Sequence, residues 1–305
     1  MARNSLDRLI PFLTLSAQQV GRELIGAIPA VTMDMTAESA AYNQEVRVPV
    51  TPKVGAERVV IGVDPVVKGQ VFGDVVIKMD KMYRASFLWD GEEELGLGGA
   101  LNGVRENQIM QGFRTLANQI ETDVFAEAIN GAEGGNLGVV GTPPFENGDM
   151  REFAQLVKMF NDAGSPQYGR QLVLNTTAAA SLRNKPNLWK ANEAGETGLL
   201  RQGVFANIMG FDIRESGGAT QMTIGGVETL PNAAFTRDAV LLAARAIRMP
   251  EGGDKASDVT TVTDTVSGLT FGVASYPGYK TNIIELSVLY GVKTINPQNA
   301  FVLLG

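Results

Sequence analysis

The chain has 305 residues, enough for one large domain or two smaller ones with a sizeable core that needs no disulfide. It contains no His and no Cys, which removes the imidazole base, the thiolate nucleophile, Cys/His zinc sites, iron–sulfur ligation and disulfide frameworks together, while carboxylate chemistry such as glycoside hydrolysis or Mg²⁺ binding stays open. A net charge of −7 and a pI near 4.9 argue against broad polyanion binding, which needs an excess of Lys and Arg.

Residues 5 to 26 carry Leu6, Leu9, Ile10, Leu13, Val20, Leu24 and Ile25 at mixed helical spacing, interrupted by Pro11. The pattern predicts a short helical arm with one apolar side, docked on its own domain or on a neighbouring subunit. No uninterrupted apolar run reaches the ~18 residues that a membrane span needs, and no signal peptide is legible. The chain is expected to be made and kept in the cytoplasm unless a larger object carries it out.

Residues 45 to 84 read as strand, turn and strand. Val46, Val48 and Val50 alternate with Glu45, Arg47 and Thr51, and further on Val71, Val75, Ile77 and Met79 alternate with Asp74, Lys78 and Asp80. Unbroken, the run from Lys68 to Arg84 would reach roughly 55 Å at ~3.3 Å per residue, a protruding ribbon that needs a surface to lie on. Bulges at Gly69 and Gly73 would instead fold it into an ordinary sheet. Lys and Arg outnumber acids here by seven to five, and the acidic run Glu92-Glu93-Glu94 follows directly.

"LGLGGALNG", residues 95 to 103, lacks the G-x-G-x-x-G spacing of a dinucleotide loop and follows that acidic run, so it reads as a flexible joint before a helix. In that helix Ile109, Phe113, Leu116, Ile120, Val124 and Ala128 recur at steps of three and four, and Gly131 supplies a stop. About 27 residues at 1.5 Å each give roughly 40 Å, longer than the usual helix. A second helix follows, with Asp149 as the expected N-cap, Glu152 in the capping-box place and Gly164 as its stop. "RQLVLN" predicts a buried strand, "TTAAASLRNK" a short helix and "ANIMGFDIRESGG" a strand, so residues 149 to 217 describe a compact α/β unit. "LPNAAFTRDAVLLAARAI" suits helix or strand equally. "DVTTVTDTVSGLTFGVASY" and "KTNIIELSVLYGVKTIN" read as strands. Phe301 to Leu304 form an apolar end that needs cover, from this chain or from another.

Catalytic groups do not form a constellation. Ser181 with Lys185, and Ser5 with Asp7 and Arg8, lack the G-x-S-x-G or S-x-x-K context that activates a nucleophile. Glu92 to Glu94, and Glu121, Asp123 and Glu127, have no Ca²⁺-loop spacing and read as solvated faces. Trp89, Trp189, Tyr276 and Tyr279 read as core or interface anchors, because no basic strip is interleaved with aromatics. No catalytic, cofactor-binding or metal-binding residue is assigned.

The order of parts (N-terminal arm, long β-ribbon, glycine joint, long helix, α/β unit, closing strands) resembles the major capsid proteins of tailed bacteriophages with the Hong Kong 97-type fold. The phrases that carry it are "VRVPV" entering the extended loop, "RTLANQIETDVFAEAINGA", "LVLNTTAAASLRN", "GVFANIMGFDIRES", "NAAFTRDAVLLAARAI" and "ELSVLYGVKTINPQNAFVLL". They are most similar to the coat proteins of short-tailed Salmonella-type phages. Those proteins insert an immunoglobulin-like domain where this chain has only "SGGATQMTIGGVETLP", about 16 residues.

The resemblance implies an α+β capsid fold. Its parts would be an N-terminal arm and start of the peripheral domain at 1–44, an extended β-ribbon loop at 45–85, a peripheral domain with its spine helix at 86–132, an axial domain at 133–231 and closing segments shared by both domains at 232–305. It further implies a non-enzymatic protein that assembles with itself as pentamers and hexamers into an icosahedral head enclosing double-stranded DNA. Its partners would be a separate scaffolding protein, a portal at one vertex, optionally a decoration protein, and packaged DNA touched weakly and without sequence specificity. It would be made in the host cytoplasm, reside in the virion and contact no membrane. Few charges, 19%, and many glycines, 35, suit a protein that hides much of its surface. Two alternatives are an encapsulin-like compartment shell and, in another class, a metal-dependent hydrolase on the α/β unit.

Overall fold

The computed structural model describes residues 25–34, 40–51, 72–97, 101–146, 150–185, 207–219, 222–224, 226–250, 255–264 and 267–305, with isolated positions between 54 and 69. The expected arm at 5–26 therefore lies almost wholly outside the described residues, as do the tip of the ribbon and Trp189. In chain order the strands and helices are β1 (Thr32–Asp34), β2 (Glu45–Val50), β3 (Gly73–Lys78), β4 (Lys81–Asp90), α1 (Gly91–Leu97), α2 (Leu101–Asn130), β5 (Asn136–Leu137), α3 (Arg151–Asp162), β6 (Arg170–Leu174) and α4 (Thr176–Arg183). Then come β7 (Asn207–Ile208), β8 (Phe211–Glu215), β9 (Met222–Ile224), β10 (Val227–Thr229), β11 (Asn232–Thr236), β12 (Val240–Arg245), β13 (Asp258–Thr263), β14 (Thr270–Pro277), β15 (Thr281–Thr294) and β16 (Ala300–Leu303). Helices and mainly antiparallel sheets make the class α+β.

One six-stranded sheet is organised on β15. Along one edge β15 pairs with β4, from Thr281↔Asp90 to Tyr290↔Lys81. Its other edge is shared end to end by β14, up to Gly272↔Ser287, and β12, from Arg245↔Leu289 onward. β13 extends the sheet beyond β14, and β1 lies parallel to β12. The second six-stranded sheet has the order β5-β16-β11-β6-β8-β7.

The period-2 alternation of the second sheet separates two cores. Val173, Ala233, Phe235, Ala300 and Val302 face the large core that contains α2, whereas Leu172, Leu174, Ala234, Phe301 and Leu303 face a second core with α3 and α4. In the second core Phe160 lies 4.4 Å from Phe301 and 5.2 Å from Phe211, centroid to centroid. The apolar C-terminal run is thus covered by its own chain: β16 lies between β11 and β5, with Phe301 opposite Ala234 and Leu303 opposite Leu137.

The long helix is present, and all six of its predicted apolar positions are buried. It packs against β4 and β15 of the first sheet and against β11 and β16 of the second. Gly112 makes the first approach possible, since a Cβ there would lie 2.6 Å from Phe87 Cζ. The helix ends at Asn130, and Gly131 follows it where contact requires glycine, because a Cβ would overlap the side chain of Thr294.

Several local expectations change. The run from Lys68 to Arg84 is not one strand: it breaks at Met79 and Asp80, where β3 pairs with β2 and β4 leaves to pair with β15. "ANIMGFDIRESGG" is a hairpin, turned at Met209 and Gly210, both at positive φ. The ambiguous "LPNAAFTRDAVLLAARAI" forms β11 and β12, joined by a 3-10 turn at Arg237–Ala239 that carries the chain from one sheet to the other. Ala favours helix locally, but every residue of β11 is buried, so strand pairing on both edges overrides that weak preference. The N-cap position of α3 is Met150, with no side-chain cap, and Asp149 lies outside the described residues. Gly164 ends α3 as expected, at φ +72, with Ser165 N–H donating to Phe160 O and Gly164 N–H to Asn161 O.

Gly291 marks the junction of ribbon and sheet, because a Cβ there would land on the carbonyl oxygen of Lys78. Backbone is the obstacle and cannot swing aside. Gly291→Ala is expected to cost about 1–3 kcal/mol of stability, read as a lower denaturant midpoint with an unchanged slope.

Candidate assembly surface

The ribbon begins as a ladder from Glu45↔Lys78 to Val50↔Gly73. Its base is fastened to the first sheet. Asn43 N–H donates to Met79 O at 2.8 Å, Met79 N–H to Gln44 O at 3.2 Å, and Arg245 Nε to Ala40 O at 2.7 Å. Ile77 and Met79 are buried with Ala40, Ala243 and Leu289, and Val46 and Val48 rest against this cluster. Farther out the two strands have no second layer among the described residues. Val54 is 71% exposed, Ile61 99% and Phe72 61%.

Exposed apolar side chains concentrate along this stretch and the strand that continues it. Of the fifteen large hydrophobic side chains exposed among the described residues, nine lie between Tyr42 and Leu95: Tyr42, Val54, Ile61, Phe72, Val76, Met82, Tyr83, Leu88 and Leu95. Scattered surface hydrophobics need no explanation, but their concentration on the ribbon and on an edge strand makes this stretch the candidate contact surface. The ribbon's charge pairs, Arg47 with Glu45 and Asp74 at 3.9 Å, are exposed and hold little.

The residues weighed as chemical sites are dispersed. Ser181 lies in α4 and Lys185 just beyond its end, buried. Ser5, Asp7 and Arg8 are outside the described residues. Glu92 to Glu94 form the first turn of α1. There Asp90 and Glu93 cap one another, Glu93 N–H donating to Asp90 Oδ1 at 2.7 Å and Asp90 N–H to Glu93 Oε2 at 3.4 Å, while Glu94 pairs with Arg105. Trp89 is buried, with the Arg105 guanidinium 5.5 Å from its ring, whereas Tyr279 projects from the β14–β15 turn at 88% exposure. Among the described residues no three His, Cys, Asp or Glu side chains are placed to hold a metal ion, and no helix is long and apolar enough to cross a membrane.

The solvated-face reading of Glu121, Asp123 and Glu127 does not hold. Glu121 is 1% exposed and accepts from Gly26 N–H at 2.8 Å, Ala27 N–H at 2.7 Å, Ile28 N–H at 2.9 Å and Ser216 Oγ at 2.5 Å. Asp123 accepts from Tyr290 OH at 2.5 Å and pairs with Lys81 at 3.0 Å. Glu127 accepts from Thr294 N–H at 3.1 Å and faces Lys293 at 3.3 Å. The three acids fasten α2 to the N-terminal segment, to the root of β4 and to β15. Helical spacing shows which residues share a face, but hydrogen-bond partners 90 to 170 positions away leave no local trace.

No protein-family model and no curated protein matches the sequence. Solved structures do match in fold. One from Mycobacterium phage Che8 is 18% identical, with 91% of this chain and 90% of that one covered at a TM-score of 0.60. The mature capsid of bacteriophage PhiM1 is 12% identical, covering 90% and 85%, also at 0.60. A virus-like particle from Pyrococcus furiosus is 14% identical, covering 97% and 98%, at 0.51. The chain therefore has the fold seen in phage capsid structures.

Glu121→Gln places an amide NH₂ among four donors. It is expected to cost about 2–5 kcal/mol and to raise amide exchange at residues 26 to 28 ahead of the core strands. Burial, and then the hydrogen bond to Asp123, push the Tyr290 phenol well above its ordinary value. A raised folded-state pKa gives stability that is complete below the unfolded value of about 10 and declines as pH rises beyond it. Denaturation midpoints from pH 8 to pH 11 should therefore fall more steeply for the wild type than for Tyr290→Phe, which at pH 8 is itself weaker by about 1–3 kcal/mol.

Proposed function

We propose that this chain is the major shell subunit of a tailed-phage head, assembling as pentamers and hexamers into an icosahedral shell around double-stranded DNA. The observation that carries the reading is the match in fold to phage capsid structures over about nine-tenths of both chains. The exposed apolar ribbon supports it, because such a surface suits lateral contact with further copies. In this reading residues 45–85 lie over neighbouring subunits, 133–231 surround each local symmetry axis, 86–132 supply the peripheral domain, 232–305 close both domains, and 1–44 form the arm.

The role is structural, without catalysis. A separate scaffolding protein guides assembly, a portal occupies one vertex, and a decoration protein is an optional addition. DNA is touched weakly and without sequence preference, in keeping with the net charge of −7. The chain is made in the host cytoplasm and ends in the virion. Within this family the likeness is to the coat proteins of Salmonella-type phages, with the small β9–β10 hairpin standing where those proteins insert an immunoglobulin-like domain.

A compartment shell of the encapsulin kind is a second reading, favoured by the coverage of the Pyrococcus furiosus particle. Neighbouring genes separate the two: portal and terminase genes go with a phage head, a cargo enzyme with a compartment. Deleting residues 54–70 tests the lateral role of the ribbon. The variant is expected to give folded subunits that sediment as small oligomers, whereas uniform shells from it in electron micrographs would sink the idea.

A further inference from the structure

Two features stand side by side at one end of the first sheet, because Thr281, which begins β15, lies opposite Asp90, which ends β4. The first is the tip of the β14–β15 hairpin. Gly278 N–H donates to Thr281 O at 2.9 Å, so the loop between them is only Tyr279 and Lys280. Lys280 takes φ +56, a left-handed conformation uncommon for a residue with a side chain, and its ammonium stands 5.7 Å from the centroid of the Tyr279 ring. An aromatic ring and a cation are thus held together on a tight turn, both exposed, and such preorganisation lowers the cost of binding.

The second feature is the corner where β4 turns into α1. Leu88 and Leu95 are 56% and 76% exposed there. Asp90 and Glu93 are engaged with one another and Glu94 with Arg105. Glu92 is exposed, and it has no hydrogen bond or ion pair among the described residues. Lys280 has none either, its one contact being the ring of Tyr279. Opposite charges on neighbouring turns therefore remain unpaired within one copy. Each feature also carries what the other lacks: an aromatic knob with a positive charge, and an aliphatic corner with a negative one. A surface that bears both halves is self-complementary, as contact between identical copies requires.

We infer that this end of the first sheet is a contact between copies of the chain, the Tyr279 ring of one seated on Leu88 and Leu95 of another, with Lys280 facing Glu92 at the rim. Tyrosine in the centre and charges at the edge match the anatomy of protein interfaces. This contact presupposes the shell reading, in which many copies meet, and it is separate from the tip of the ribbon.

The full chain has no Cys, so engineered cysteines report without background. Copies with Tyr279→Cys mixed with copies carrying Leu95→Cys are expected to form disulfide-linked pairs under mild oxidation. Tyr168→Cys, equally exposed on the second sheet, should give none with Tyr279→Cys. Lys280→Glu and Glu92→Lys should each raise the protein concentration needed for assembly about tenfold, read by sedimentation, and the two together should restore it. All these positions are on the surface, and circular dichroism checks that each variant is folded. Wild-type shells with unchanged assembly of the charge variants, or failure of the double exchange to restore assembly, overturn the contact and leave the shell reading standing. Pairs that crosslink and respond to charge exchange, but never form shells, keep the contact and overturn the shell reading. A wild type that stays single at every concentration overturns both.

Discussion

Everything in this fold depends on one helix being buried on more than one side. α2 is bordered by β4 and β15 of the first sheet and by β11 and β16 of the second, so a single hydrophobic core crosses from one sheet to the other through it. From residue 119 to 129 the helix is not amphipathic in the usual sense, because its polar side chains there also meet protein. Glu121, Asp123 and Glu127 solve the problem by becoming anchors: each carboxylate meets donors from a distant segment. Buried acids without such partners would cost more than the packing gains.

The anchors also explain how an extended ribbon starts from a rigid root. Lys81, the first residue of β4, is paired to Asp123, and Tyr290, its partner across the ladder, donates to the same carboxylate. Three residues earlier the chain passes Gly291 so closely that no side chain fits between. The end of the ribbon is thus fixed to the helix and to the longest strand at once.

Polar and apolar groups are divided between the interior and one stretch of the surface. Among the described residues Glu121, Asp123 and Glu127 of α2 serve the fold, while most of the exposed large apolar side chains lie between Tyr42 and Leu95.

Elements with a local cause are legible in the order of residues. The steps of three and four from Ile109 to Ala128, the alternation from Glu45 to Val50, and the glycine at 164 each produce their structure by short-range geometry. Composition also determined what chemistry is missing, since a chain without His or Cys cannot place either. The remaining features depend on partners distant in the chain. The strand state of β11 and β12 came from neighbours on both edges, and the break at Met79 and Asp80 came from two different partners claiming the two halves of one apolar run. Glu121 became an anchor because Gly26 to Ile28 and Ser216 converge on it from about 95 residues away. Hydrogen-bond satisfaction and strand pairing are long-range conditions, and a periodic pattern of apolar residues specifies which face is buried without specifying what buries it.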